Sequence, residues 1–141
     1  MPFLHIRKAL IASAFAGALV TAGALAQTAM PSKLGAGVTR VDLQRHDISI
    51  PGHEALQARV DLAPGVLAAR HKHPGEEIIY VLKGTLVYDI DGQGSRTVKP
   101  GDVLFVPAET FHSVRNIGSD EGSELATYVV EKGKPLVVLD K

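Results

Sequence analysis

Closely spaced turn signals are the feature that most constrains how this 141-residue chain can fold. From Val38 onward, apolar and polar residues alternate, and pairs such as Pro-Gly, Asp-Gly and Lys-Gly interrupt the alternation about every six to ten residues. In such a pair, Pro presets one backbone dihedral and Gly accepts the positive φ that follows, so the chain reverses tightly. The pattern is typical of short antiparallel strands and predicts an all-β domain.

About nine short strands in a single domain predict a small sandwich or barrel. The chain has 14 Gly and 8 Pro, and its 45% of hydrophobic residues is enough to form a core. The carboxyl-terminal tail, residues 132–141, is expected to supply one further edge strand. The predicted strands are residues 38–43, 55–61, 66–73, 77–82, 85–90, 95–99, 102–106, 112–116 and 125–131.

The amino end, residues 1–26, has the pattern of a cleavable secretory signal. Arg7 and Lys8 precede an uncharged apolar run, and Ala24 and Ala26 are small residues at the positions that a signal peptidase reads. A transmembrane anchor is the alternative, but the run is built of Ala and Gly rather than Leu and Ile. We therefore expect cleavage, and no stable membrane insertion afterwards.

Cleavage would leave a mature chain that is exported, to the periplasm or further out. We expect this chain to consist of a flexible lead-in over residues 27–37 and one barrel domain over residues 38–141.

Charge and cysteine content exclude several classes of function. Lys plus Arg and Asp plus Glu both total 15, so there is no basic surplus to attract a phosphate backbone, and nucleic acid is not an expected partner. The chain has no Cys, which excludes disulfides, thiolate metal sites and a thiol nucleophile. A metal site in this chain must use nitrogen and oxygen ligands.

Three histidines and one glutamate are placed where a barrel interior could collect them. His71 and His73 lie two apart on a predicted strand, so their side chains share a face, which is the inner one if Leu67 and Ala69 of the same parity are core residues. Glu77 opens the next predicted strand and His112 a later one. A lone His is more often a hydrogen-bonded core or surface residue, but three imidazoles and a carboxylate that converge suit Fe, Mn, Ni, Cu or Zn.

The spacing of these residues resembles the two motifs of the cupin family. Sixteen residues separate the two motifs, as in small bacterial cupins. The first motif is matched at each defining position by Gly65, His71, His73, Glu77 and Gly84. The second is matched by Gly101, Pro107, His112 and Asn116, with Glu109 where the family usually has Gly.

The resemblance implies a double-stranded β-helix, or jelly-roll, barrel with a divalent metal bound by His71, His73, Glu77 and His112. Glu109 would cost about 1 kcal/mol if its φ is positive. Its side chain is either an acid or base at the mouth of the barrel or, more simply, a solvated loop residue.

A second polar face is a weaker candidate for the site. On the predicted strand 55–61, Gln57 and Arg59 share a parity, and they could bind an oxygen-bearing substrate if this face looked into the barrel. The alternative is an exposed polar face, which is commoner for such residues.

Fold alone does not decide the reaction, and the resemblance leaves several functions open. The complete ligand set favours a metal-dependent enzyme on a small molecule, of dioxygenase type. The alternatives are a binding or sensing protein without catalysis and a metal-dependent lyase or decarboxylase, whereas a sugar-epimerising cupin is disfavoured because those lack the full ligand set. Apolar residues on both faces of the strand 77–82 predict a homodimer that covers the outer face.

Overall fold

The computed structural model describes residues 27–141, and the predicted signal segment, residues 1–26, lies outside the described residues. The described part consists of strands, turns and bends without a helix, as the turn pattern predicted. The strands are β1 (Met30–Pro31), β2 (Val38–Asp47), β3 (His53–Leu62), β4 (Leu67–Lys72), β5 (Gly75–Lys83), β6 (Leu86–Ile90), β7 (Gly94–Val98), β8 (Val103–Val106), β9 (His112–Asn116), β10 (Gly122–Glu131) and β11 (Val138–Leu139).

Two antiparallel sheets form the barrel. One has six strands in the order β1-β2-β3-β10-β5-β8, and the other has five in the order β11-β4-β9-β6-β7. Several neighbouring pairs, such as β3 with β10 and β4 with β9, come from distant parts of the sequence, as in a jelly roll. The inner faces of both sheets enclose one apolar core. Among residues 27–141, no helix is long and apolar enough to cross a membrane.

The nine predicted strands correspond to β2–β10, and the edge strand expected in the tail is β11. The largest difference in length is at β2, which continues to Asp47, and β3, β5 and β10 are each three residues longer than predicted. The lead-in differs from the expected flexible segment, because Met30 and Pro31 pair with β2 and Leu34 is buried against the core.

Gly75 allows β5 and β10 to approach each other closely. It lies opposite Val130, and a Cβ at this position would come within 2.0 Å of the carbonyl oxygen of Val129. The sequence suggested a turn at Pro74-Gly75, but Gly75 is the first residue of β5, and its lack of a side chain is what the sheet requires there. Gly75 is two residues before Glu77 on the same strand.

We predict that Gly75→Ala destabilises the protein by about 2 kcal/mol or more, because the added Cβ collides with backbone that cannot give way locally. Gly92→Ala is the control: Gly92 has a positive φ, of 78°, which Gly75 does not have, but nothing lies within 4 Å of its Cβ position. The control should lose only about 1 kcal/mol, the usual cost of a left-handed non-Gly residue. Urea denaturation measures both, and equal losses would contradict the close-contact argument.

Candidate metal centre

A β-bulge in β4 turns two histidines into the barrel. Ala68 pairs with Val114 and His71 pairs with His112, so two residues of β4 stand opposite the single Ser113 of β9. The expectation that Leu67 and Ala69 point inward was therefore wrong: Leu67 is 45% exposed, whereas Ala68 is fully buried. The extra residue in the bulge restores the inward direction at His71.

The three imidazoles form a compact buried cluster. His71 and His73 belong to the first motif, and His112 opens β9 directly across from His71. The ring centroid of His71 lies 4.9 Å from that of His73 and 4.3 Å from that of His112. The centroids of His73 and His112 are 5.1 Å apart. One nitrogen of each ring lies within 4.8 Å of the other two, a spacing that could hold a metal ion.

Backbone carbonyls orient all three rings in the same way. A carbonyl oxygen can only accept a hydrogen bond, so each Nδ1 carries the proton and each Nε2 keeps its lone pair for the centre of the cluster. Such contacts to the second ring nitrogen are usual for metal-binding His. The accepting carbonyls are those of Ala69 for His71 at 2.7 Å, Leu136 for His73 at 2.7 Å and Thr110 for His112 at 3.0 Å.

Glu77 completes the cluster from the opposite sheet. Its Oε2 lies 3.3 Å from Nε2 of His73 and 3.2 Å from Nε2 of His112. The Oε2 of Glu77 and the Nε2 of His73 are both buried without a hydrogen-bond partner. Two acceptors that face each other in a buried site need a proton or a metal cation between them. The set of imidazole and carboxylate donors fits a divalent transition metal.

The electrostatics of the cluster favour the ligand forms of His71 and Glu77, whereas His73 is shifted toward its protonated form. Burial and the positive charges of His112 and His73 lower the pKa of His71 to about 3, so its imidazole is neutral near pH 7. Burial acts to raise the pKa of Glu77, but the neighbouring His112 and His73 outweigh it, and the net pKa is lowered. Burial likewise acts to lower the pKa of His73, but the Glu77 carboxylate outweighs burial and raises it. The space between His73 and Glu77 therefore attracts positive charge, which a metal ion supplies in place of a proton.

Two tyrosines and a second carboxyl group surround the cluster. The Tyr128 ring lies 4.8 Å from the His73 ring in an edge-on arrangement. The Tyr88 hydroxyl donates a hydrogen bond to Glu124, and both side chains are buried. Burial, with the charge of Glu77, raises the pKa of Glu124 to about 8. Sequence reasoning missed Glu124, although it shares the parity of the core residues Ala126 and Tyr128 on β10.

Gln57 and Arg59 lie on the outer face of β3, not in the barrel. The alternate residues Leu56, Ala58 and Val60 are buried in the core, and this apolar face is the one that the interior accepts. The Nε2 of Gln57 donates to Thr127 Oγ1 at 3.0 Å, and Arg59 is exposed. A role for Gln57 and Arg59 as substrate ligands required this polar face to look into the barrel, and it does not.

Glu109 has the positive φ, 59°, that explains the usual Gly at this motif position. Its side chain is 58% exposed and pairs with Lys72 Nζ at 2.6 Å. Lys72 lies between His71 and His73, which both point inward, so its side chain projects from the other face of the strand. Glu109 is thus a solvated loop residue on the outside of the barrel.

We predict that, in the metal-free protein, the stability of Glu124→Gln relative to the wild type increases as pH rises. The folded-state pKa, about 8, is above the ordinary value of 4.5, so the wild type must keep a proton that the unfolded chain releases. The two proteins should differ least below about pH 4.5, and the difference should grow by about 1.4 kcal/mol per pH unit up to about pH 8. Urea denaturation at pH 5, 7 and 9 measures it, and parallel profiles would contradict a protonated buried Glu124.

Comparisons with known proteins place this geometry in a family. Residues 58–130, more than half of the chain, match the family described as Cupin domain. The oxalate-binding protein of Thermotoga maritima is 38% identical over 76 residues, which are 53% of this chain and 62% of that protein. Oxalate oxidase 2 of Hordeum vulgare is 32% identical over 125 residues, 81% of this chain and 52% of that protein.

A solved structure supports the same assignment. The predicted oxalate decarboxylase of Thermotoga maritima is 33% identical, with a TM-score of 0.56, and the match covers 67% of this chain and 80% of that one. The chain thus spans only about half to three-fifths of the length of the two curated relatives above. The extent of the domain match, together with the double-sheet barrel and the inward histidines, shows that the protein belongs to the cupin family.

Proposed function

We propose that the protein is a metal-dependent enzyme that uses dioxygen on a small, oxygen-rich molecule. A dioxygenase reaction would insert both oxygen atoms into the substrate, whereas with oxalate, the first candidate, dioxygen would be reduced to hydrogen peroxide as oxalate is oxidised to two molecules of carbon dioxide. His71, His73, His112 and Glu77 would hold the metal. The observation that carries the proposal is the convergence of three proton-free Nε2 atoms and one unpartnered carboxylate oxygen in a buried site.

Four protein ligands leave coordination positions open, because Fe, Mn and related ions accept up to six. When bound, such a metal supplies Lewis acidity and redox chemistry to substrate and dioxygen in adjacent positions. The chain orients and buries the ligands, because backbone carbonyls fix the imidazole rings and the Tyr128 ring covers one side of His73.

Oxalate is proposed because relatives of this chain are named for it, one as an oxidase and one as a binding protein. It is a small dianion, and its carboxylate oxygens are donors of the kind that a divalent transition metal would accept. A metal centre with open positions suits a ligand of this kind.

The second candidate is a protein that binds oxalate or a similar ligand without turnover. It is favoured by the lack of an evident acid or base beyond the ligands: Glu109 faces outward, and Glu124 is engaged with Tyr88. A decarboxylase or lyase needs a proton donor of that kind, and the same two observations count against it.

We also propose that the protein is exported to the periplasm or secreted, with residues 1–26 removed. The proposal is supported by the sequence pattern alone: the charges of Arg7 and Lys8, the apolar run and the small residues before Gln27.

The central experiment is elemental analysis and oxygen uptake on protein isolated from its native compartment, where the chain is expected to begin at Gln27. The wild type should contain about one Fe, Mn, Ni or Cu ion per chain, and oxalate should raise oxygen uptake. His73→Ala should lose both, because a ligand is removed. His46→Ala, an exposed residue away from the cluster, is the control and should retain both.

Each other result selects a different function. Carbon dioxide release without oxygen uptake would assign a decarboxylase, and oxalate that stays bound and unchanged would assign a binding protein. Equal metal contents in the wild type and His73→Ala, or no metal in either, would overturn the assignment of the metal centre.

We further propose that the protein forms a homodimer through the outer face of β5 and β8. Exposed apolar side chains are contiguous there, since Ile78 stands opposite Phe105 and Tyr80 opposite Val103. Their exposures range from 46% to 56%, high for a group of large apolar residues. The edge strand β8 is also unpaired on one side within the described sheet, which leaves room for a symmetric partner.

We predict that Phe105→Lys converts a dimer into a monomer, because a charge would be buried in the apolar contact. Thr97→Lys, an exposed residue on β7 of the other sheet, is the matched control and should leave the dimer intact. Light scattering coupled to gel filtration gives the mass, and a wild type at monomer mass would refute the proposal.

A further inference from the structure

A pocket of about 360 Å³ opens between the amino-terminal segment, residues 28–33, and the carboxyl-terminal tail, residues 135–137. We propose that this pocket binds a small organic monocarboxylate at a site separate from the metal centre. Its volume is at the lower end of the range for small-molecule sites, about 300–1,000 Å³. The proposal goes beyond the proposed function, because it needs neither the metal nor turnover.

The charged groups of the pocket favour an anion. Arg40 pairs with Asp42, whose Oδ1 lies 2.7 Å from both Nε and Nη2 of the guanidinium. A guanidinium has five N–H donors in a fork, so this pair leaves donors free for a second acceptor. Lys33 also lines the pocket and makes no ion pair with any residue of the described chain. The lining therefore carries two cations and one anion.

The remaining walls favour a ligand with a carbon body. They are largely apolar, and the apolar members are Met30, Pro31, Pro135, Leu136 and Val137. Apolar walls with a few placed polar groups are the usual composition of a small-molecule site. Asp42 would repel a second negative group, so one carboxylate on a short aliphatic chain fits better than a dicarboxylate such as oxalate.

The pocket lies behind His73, on the side away from the metal centre. Leu136 lines the pocket, and its carbonyl accepts the hydrogen bond from His73 Nδ1, whereas Nε2 of the same ring faces the cluster. Arg40 reaches the same region, since its guanidinium carbon is 6.0 Å from the centre of the Tyr128 ring, which contacts His73. A ligand here would touch the tail segment that orients a metal ligand, without coordinating the metal.

Calorimetric titration of the metal-loaded mature protein with hexanoate tests the proposal. Hexanoate should bind, and hexanamide, which has the same shape without the charge, should bind at least about 10-fold more weakly. Arg40→Gln should weaken hexanoate binding about 10-fold or more, because charge-assisted hydrogen bonds are lost. Arg45→Gln is the matched control on the same strand; Arg45 is exposed and outside the pocket lining, so hexanoate affinity should not change.

Lys33→Gln provides a second test if Arg40→Gln does not fold, and it should weaken hexanoate binding about threefold or more. No hexanoate binding by the wild type, or equal affinity in the wild type and Arg40→Gln, would overturn the proposal. So would loss of binding on metal removal, because hexanoate would then be a metal ligand. Metal content and oxygen uptake with oxalate report on the proposed function separately, so a failure of one proposal is distinct from a failure of the other.

Discussion

The desolvation of three imidazoles and a carboxylate inside the barrel is the constraint on which much of the structure depends. Polar groups in an apolar interior are costly unless each finds a partner. The chain provides partners on the outer side of the cluster, where three carbonyls accept from three Nδ1 atoms. On the inner side it provides none for His73 Nε2 and Glu77 Oε2, which face each other. The interior is thus organised around a cation, and the flanking Glu124 and Tyr88 satisfy each other instead of adding a further charge.

The carboxyl-terminal tail is part of this organisation and not a surface appendage. β11 pairs with β4, and Arg70 Nε donates a hydrogen bond to Asp140 Oδ2 of the tail at 2.8 Å. Arg70 belongs to the β4 bulge, so one irregularity turns His71 inward and directs Arg70 outward to hold the tail. The tail in turn supplies the Leu136 carbonyl to His73. The orientation of a candidate ligand therefore depends on residues 63 positions further along the chain.

The two proposed binding sites share this tail but differ in chemistry. The metal centre is buried, rich in lone pairs and suited to a cation with small oxygen ligands. The pocket behind His73 is open, carries Arg40 and Lys33 and is suited to an anion with an apolar body. Leu136 belongs to both sites, because it lines the pocket and its carbonyl accepts the hydrogen bond from His73 Nδ1.

Much of this protein was determined by local sequence. The Pro-Gly and Asp-Gly pairs and the period-two pattern predicted the all-β fold and located β2–β10, because turn chemistry and alternation act over a few residues. The motif spacing singled out His71, His73, Glu77 and His112, which the structure brings together. What only the tertiary structure decided was direction and pairing. Strict alternation from the buried Ala68 would have turned His71 outward, and only the bulge opposite Ser113 corrects it. Likewise, Gln57 and Arg59 face outward because the apolar face of β3 fills the core, and the Leu136 carbonyl reaches His73 only through long-range strand pairing, which no local pattern encodes.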